Sequence, residues 1–194
     1  MKTTMTTLFW VGEPDNDDND YITNVCSYWD KDWQKNYGGV DDPKHRKGYF
    51  PAGFTPRENP FYVALPYGEF LKDGTLKRRL PTIVPWYSEW LTRKNRNVPL
   101  LKNRWVEITR GKRVCYAQWE DVGPFGENDF SWVFGSAPKP RNTYDMKAGL
   151  DVSPAVWDYL GMRDNGLTSW RFFNAAELPN GPWIEITTAS CNNR

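Results

Sequence analysis

Two segments rich in aromatic and β-branched residues, 104–109 and 113–119, are separated only by Arg110-Gly111-Lys112. Side chains of this kind suit a pleated, half-buried surface, and a link this short predicts a β-hairpin. Elsewhere the apolar runs are only a few residues long, and none approaches the roughly 18 residues a membrane helix needs. The best-ordered stretch is therefore strand, and the chain is expected to fold as a mostly β domain. Its 194 residues can bury a sizeable core without metals or many disulfides. Mean hydropathy is −0.73, yet 39% of residues are hydrophobic, too many for a disordered chain. Lys plus Arg number 25 and Asp plus Glu 24, so the basic excess of a nucleic-acid binder is missing.

The chain divides into three zones. Residues 1–60 are rich in Asp, Asn, Gly and Pro and show no sustained period of 2 or 3.6, which predicts long ordered loops with short strands. The acidic run at 15–20 reads as a solvated loop, without the glycine and terminal glutamate of an EF-hand. Residues 61–101 carry Phe61-Tyr62-Val63-Ala64-Leu65-Pro66-Tyr67, a basic stretch, and a segment at 83–90 that fits helix or strand. The zone from 102 to 186 is the most organised. After the hairpin, a helix is punctuated by Ser153 as N-cap, Pro154 at the first helical position and Gly161 at the terminator. Segments 167–173 and 182–187 read as closing strands. No fixed-period repeat is present, so one domain spans 1–194, with 1–60 as a loop-rich extension and 61–194 as the folded body.

Several motifs occur in a telling order: Trp119-Glu120-Asp121-Val122-Gly123-Pro124-Phe125, then Gly149-Leu150-Asp151-Val152-Ser153-Pro154-Ala155, then Leu160-Gly161, Gly166 and Trp170-Arg171-Phe172. This series resembles the six-stranded double-psi β-barrel of rare lipoprotein A, the expansins and glycoside hydrolase family 45. Ala64-Leu65-Pro66-Tyr67-Gly68 is similar to a Thr-Leu-Pro-Phe-Gly segment of rare lipoprotein A, although the histidine that precedes that segment there has no counterpart here. The 30 residues from Asp121 to Asp151 exceed the family's usual loop, so 126–147 reads as an insertion carrying Trp132, Phe134 and Tyr144.

The resemblance implies a secreted or periplasmic protein, expected to be monomeric, whose partner is a cell-wall polysaccharide. It would cleave glycosidic bonds as a lytic transglycosylase or a family 45-like hydrolase; the alternative is a non-catalytic, expansin-like wall-binding or wall-loosening module. No metal or cofactor is implied. Asp121 and Asp151 are expected to converge on one groove. Tyr28-Trp29-Asp30 resembles the Tyr-Trp-Asp of family 45, which would make Asp30 the general base and Asp151 the general acid. Asp151 lies between Leu150 and Val152, and apolar neighbours raise a carboxyl's pKa by desolvating its charged form. Glu120 alternates with Asp121 along a strand and should face the other way.

A sugar polymer needs flat apolar surfaces for its ring faces. Eleven Trp and ten Tyr exceed what a core of this size requires, and Trp29, Tyr67, Trp119 and Trp132 are the expected stacking residues. Cys26, Cys115 and Cys191 contain no CxxC pair, which argues against a structural zinc site. Cys115 falls on a predicted strand, leaving Cys26 and Cys191, both peripheral, as the expected disulfide. His45, the one histidine, lies in a charged turn-like stretch and reads as solvated.

Overall fold

The computed structural model describes residues 1–19, 21–92, 99–144 and 146–189. The chain-order elements are β1 (Lys2–Leu8), α1 (Trp33–Tyr37), β2 (Arg46–Lys47), β3 (Phe50–Pro51), β4 (Tyr62–Ala64), α2 (Leu80–Ile83), α3 (Tyr87–Thr92), β5 (Trp105–Arg110), β6 (Arg113–Asp121), α4 (Phe130–Val133), β7 (Ala148–Val152), α5 (Pro154–Leu160) and β8 (Gly166–Phe172). Six strands close into a barrel in the order β1-β7-β4-β6-β5-β8, while β2 and β3 form a separate two-stranded ribbon. The barrel is mixed: β1/β7 and β4/β6 pair in parallel, and the other neighbours are antiparallel. This closed, mostly β architecture with short helices is compatible with a double-psi barrel.

The expected hairpin is β5–β6, with Arg110 opposite Arg113 and Gly111 taking the left-handed backbone (φ +59) that its two-residue turn needs. The helix at 154–160 also forms as expected. Ser153 Oγ accepts the Val156 N–H and donates to Pro60 O at 2.7 Å, and Gly161 ends the helix with φ +65. The ambiguous segment at 83–90 is no strand: Ile83 ends α2, residues 84–86 turn, and 87–90 begin α3.

Two expectations change. The barrel takes its first strand from Lys2–Leu8, so the loop-rich extension is residues 9–60. This strand is threonine-rich. It closes the barrel against β8 partly through hydroxyl pairs, Thr6 with Thr168 and Thr3 with Ser169, each at 2.7 Å. Because β1 and β8 complete the barrel, no edge remains for a strand at 182–187. That segment instead makes a 3-10 turn at Pro182–Ile184, and Trp183 packs edge-on to Phe61 and Tyr159 and beside Tyr116.

Residues 115–121 of β6 are all buried, on both faces of the strand. The outward-facing Gln118 is covered by the C-terminal segment and the loop before β4. Its Oε1 accepts from Asn59 Nδ2 and the Thr188 N–H, and its Nε2 donates to Thr188 O. The extension is pinned in a similar way. Tyr62, fully buried on β4, donates its hydroxyl to Asp41 at 3.0 Å and accepts the Val11 N–H at 2.9 Å, while Arg46 binds the other oxygen of Asp41. Cys26 is exposed and its Sγ donates to Lys31 O; Cys115 is buried; the expected Cys26–Cys191 pairing involves Cys191, which lies outside the described residues. His45 is exposed and pairs with Asp42.

Candidate active site

Asp121 ends β6 and Asp151 lies near the end of β7, and both strands flank β4. Ala64 is the register partner of each aspartate, on opposite sides. Neighbouring strands are spaced about 4.8 Å, so the two main chains are roughly 10 Å apart with one strand between them. Both side chains line a cleft of about 450 Å³ at this end of the barrel, walled by Thr7 to Trp10, the loop carrying Glu13, and Val122 to Phe125. The expected convergence of the two aspartates is thus present in the geometry, although Asp151 belongs to a strand rather than to the approach of a helix.

The two carboxyls have unlike surroundings. Asp121 is buried, and loss of solvent pushes its pKa up to about 7 despite the Tyr28 N–H donated to Oδ1 at 2.7 Å, the Val122 N–H and the positive charge of Lys102. Asp151 is half-buried and accepts the Thr7 hydroxyl. Gly123 lies alongside: a Cβ there would come within 3.2 Å of Asp151 Oδ2, so a glycine leaves that oxygen uncrowded.

A third acid lines the same cleft. Glu13 is buried, and desolvation pushes its pKa to about 7 even though Asn24 Nδ2 donates to Oε2 at 2.7 Å. Sequence reasoning missed it because it follows β1, a strand that was not recognised. The available signal was the threonine-rich run of residues 3–7, since β-branched residues favour strands even when polar. Among the described residues no three acidic, histidine or cysteine side chains are grouped to hold a metal ion, and no helix is long and apolar enough to cross a membrane.

The remaining expected site residues lie elsewhere. Asp30 is buried outside the cleft, where Oδ1 accepts the Asp32 N–H at 2.9 Å and Asn36 Nδ2 bonds both oxygens, fixing the start of α1. The four aromatic residues expected to stack on sugar are core. Trp29 and Trp119 meet edge-on at 5.8 Å, Tyr67 packs edge-on to Phe134, and Trp132 donates to Gly149 O at 2.9 Å. None is more than 3% exposed, so none offers a ring face to a ligand. The polar ends explain why such large residues are tolerated there: Trp29 Nε1 donates to Glu69, and Trp119 Nε1 donates to the carbonyl of Asp121 at 2.7 Å. Trp119 thus braces the aspartate instead of flooring the groove. The aromatic side chains that do line the cleft are Phe9, Trp10 and Phe125.

Glu120 is buried and is the extra residue where the β4–β6 register shifts, so the simple alternation expected between it and Asp121 is interrupted. Burial holds it protonated well above the usual carboxylate range, opposed by Lys102 at 3.7 Å. No protein-family model matches the chain, and no curated protein matches it in sequence.

Proposed function

We propose that this barrel belongs with the polysaccharide-active double-psi barrels and hydrolyses a glycosidic bond of a cell-wall glycan. The observation that carries this reading is the pair Asp121 and Asp151, one strand either side of Ala64 and opening into one cleft. Glycoside hydrolysis needs a carboxyl that gives a proton to the leaving oxygen and a carboxylate that activates water. Inverting enzymes separate the two by roughly 6.5–9.5 Å. Main chains about 10 Å apart, with side chains entering a shared cleft, suit that spacing.

The surroundings support one division of roles. Asp121, with a pKa of about 7, still holds its proton in part of the population at neutral pH and is the donor. Asp151, half-buried and held by Thr7, is the carboxylate that would take a proton from water. This reverses the role expected for Asp151 from its apolar sequence neighbours, because those neighbours alternate away from it along β7. Glu13 supplies a second protonated carboxyl to the cleft wall, suited to hydrogen-bonding sugar hydroxyls. A wall polymer as substrate requires the protein to work outside the cytoplasm. A purely binding module has less support, since Trp29, Tyr67, Trp119 and Trp132, the four aromatic residues expected to form its surface, are buried.

The test is product analysis on soluble β-glucans and on peptidoglycan. New reducing ends with inverted anomeric configuration are expected; anhydro-sugar ends would instead identify a transglycosylase, and binding without product a non-catalytic module. Asp151→Asn should lower turnover by about 10²–10⁴-fold with glycan binding retained, and unchanged turnover would remove Asp151 from the mechanism.

A further inference from the structure

A second cavity of about 360 Å³ adjoins the cleft. Pro124 and Phe125 line both, so the two form consecutive compartments divided by a single ridge. The far wall comes from residues 126–144, the stretch read from the sequence as an insertion. We propose that this second cavity is a sugar subsite, holding a neutral residue of the same glycan chain whose scissile bond lies in the cleft; the proposal rests on the glycan reading above and adds a substrate-length requirement to it.

The ring face missing from the cleft's expected floor is available here. Tyr144 is 57% exposed, and its ring lies 5.1 Å from that of Phe125 at an interplanar angle of 36°. Two adjoining rings in an open wall offer an apolar surface for the C–H face of a sugar. Around them are groups of both signs. Arg141 keeps a largely solvated side chain, its Nε 3.7 Å from Asp129, and Glu127 is exposed on the same cavity. Paired donors and acceptors of opposite charge suit the hydroxyls of an uncharged sugar and give a carboxylated one no net attraction.

The wall is also built before any ligand arrives, which limits the ordering cost of binding. Asp129 accepts the N–H groups of Trp132 at 3.1 Å and Arg141 at 2.6 Å. Asn142 donates to Ala148 O at 2.8 Å and accepts the Tyr144 N–H at 2.8 Å, tying the Tyr144 turn directly to the start of β7, two residues before Leu150 and three before Asp151. The subsite is thereby anchored to the strand that carries the proposed base.

The experiment compares kcat/KM and binding for cello- and chito-oligosaccharides of two to six sugars, with the parent protein, Tyr144→Ala and Arg141→Gln. In the series the parent accepts, kcat/KM should climb with chain length until both compartments are filled. Tyr144→Ala should remove about 3- to 10-fold of that gain on the longest oligosaccharides and leave the shortest accepted one unchanged. Arg141→Gln should do the same to a smaller extent, and thermal melts of both variants should match the parent, since both side chains are surface-exposed. A parent that shows no length dependence, or a Tyr144→Ala protein that retains all of it, overturns the subsite while leaving the glycan reading standing. A parent that neither binds nor cleaves any oligosaccharide or polymer overturns both.

Discussion

Two of the places where the molecule buries carboxylates differ in the partners they supply. In the clamp that holds the extension to the barrel, Asp41 is fully buried, but Arg46 binds one oxygen and the Tyr62 hydroxyl the other. In the cleft, Asp121 and Glu13 are nearly as buried, and each meets only neutral N–H donors, with Lys102 acting on Asp121 from a distance. Taking a charge out of water costs several kcal/mol unless a partner offsets it. The clamp supplies the partner, so that Arg46 and Tyr62 oppose the rise that burial gives the Asp41 pKa; the cleft withholds it, and two acids titrate at about 7. A cleft that maintains such uncompensated groups works against its own stability, which is the pattern expected where a site needs a proton donor.

The sharpest way to break this contrast is Asp121→Asn. If Asp121 is the donor, wild-type activity should fall as pH rises through about 7, where the carboxyl loses its proton. The variant should lose about 10²–10⁴-fold in kcat, and its residual activity should lack that limb. Its stability at pH 8 should equal or exceed that of the parent, because an amide removes a buried charge. A variant whose pH profile keeps the limb near 7 would assign that limb to another group, with Glu13 next to be examined.

Asp41→Ala probes the other side of the comparison. It leaves the buried Arg46 with only the Tyr49 carbonyl and the more distant Asp158, and Tyr62 without an acceptor; removing one member of a buried pair typically costs about 3–5 kcal/mol. Urea denaturation should show that loss, with no change in the pH profile of activity. A cost below about 1 kcal/mol would mean that water replaces the aspartate and that the clamp contributes little.

The clamp and the cleft also differ in how far the sequence reveals them. Asp121 and Asp151 could be placed together because they stand in motifs whose order is informative, and the hairpin and α5 were legible because their turn and cap residues are local signals. Trp29, Tyr67, Trp119 and Trp132 misled, because composition does not reveal direction. A strand such as β6, buried on both faces, gives no alternation from which to tell a ring facing the core from one facing a groove. Glu13 was invisible for a related reason. Its strand β1 buries Thr4, Thr6 and Thr7, and the Thr6 hydroxyl is satisfied by Thr168 on the neighbouring β8, far along the chain. Asp30 failed because a three-residue likeness carries no information about which loop closes over which strand.

The smallest effect expected is the most direct measure of what the cleft forgoes. Glu13 has a pKa raised by burial to about 7 in the folded protein, against an ordinary value of 4.5. Between those two values the folded state holds a proton that the unfolded chain has released. Stability therefore falls as pH rises through that window and levels off above about 7. A tenfold change in proton affinity corresponds to about 1.4 kcal/mol, and with solvent access from the open cleft the contribution should be on the order of 1–3 kcal/mol. Glu13→Gln keeps the shape, retains a carbonyl oxygen to accept from Asn24, and has no charge to desolvate. Its melting temperature should match the parent's at pH 4.5 and exceed it by a few degrees at pH 8, the difference opening between those limits. The same scan on Asp41→Asn should show a loss at both pH values, since that change removes the partner of the Arg46 charge whatever the pH, on top of the rise that burial gives the Asp41 pKa. Equal pH dependence in Glu13→Gln and the parent would mean that the cleft solvates Glu13 as well as water does, and would erase the difference between the two regions at that residue.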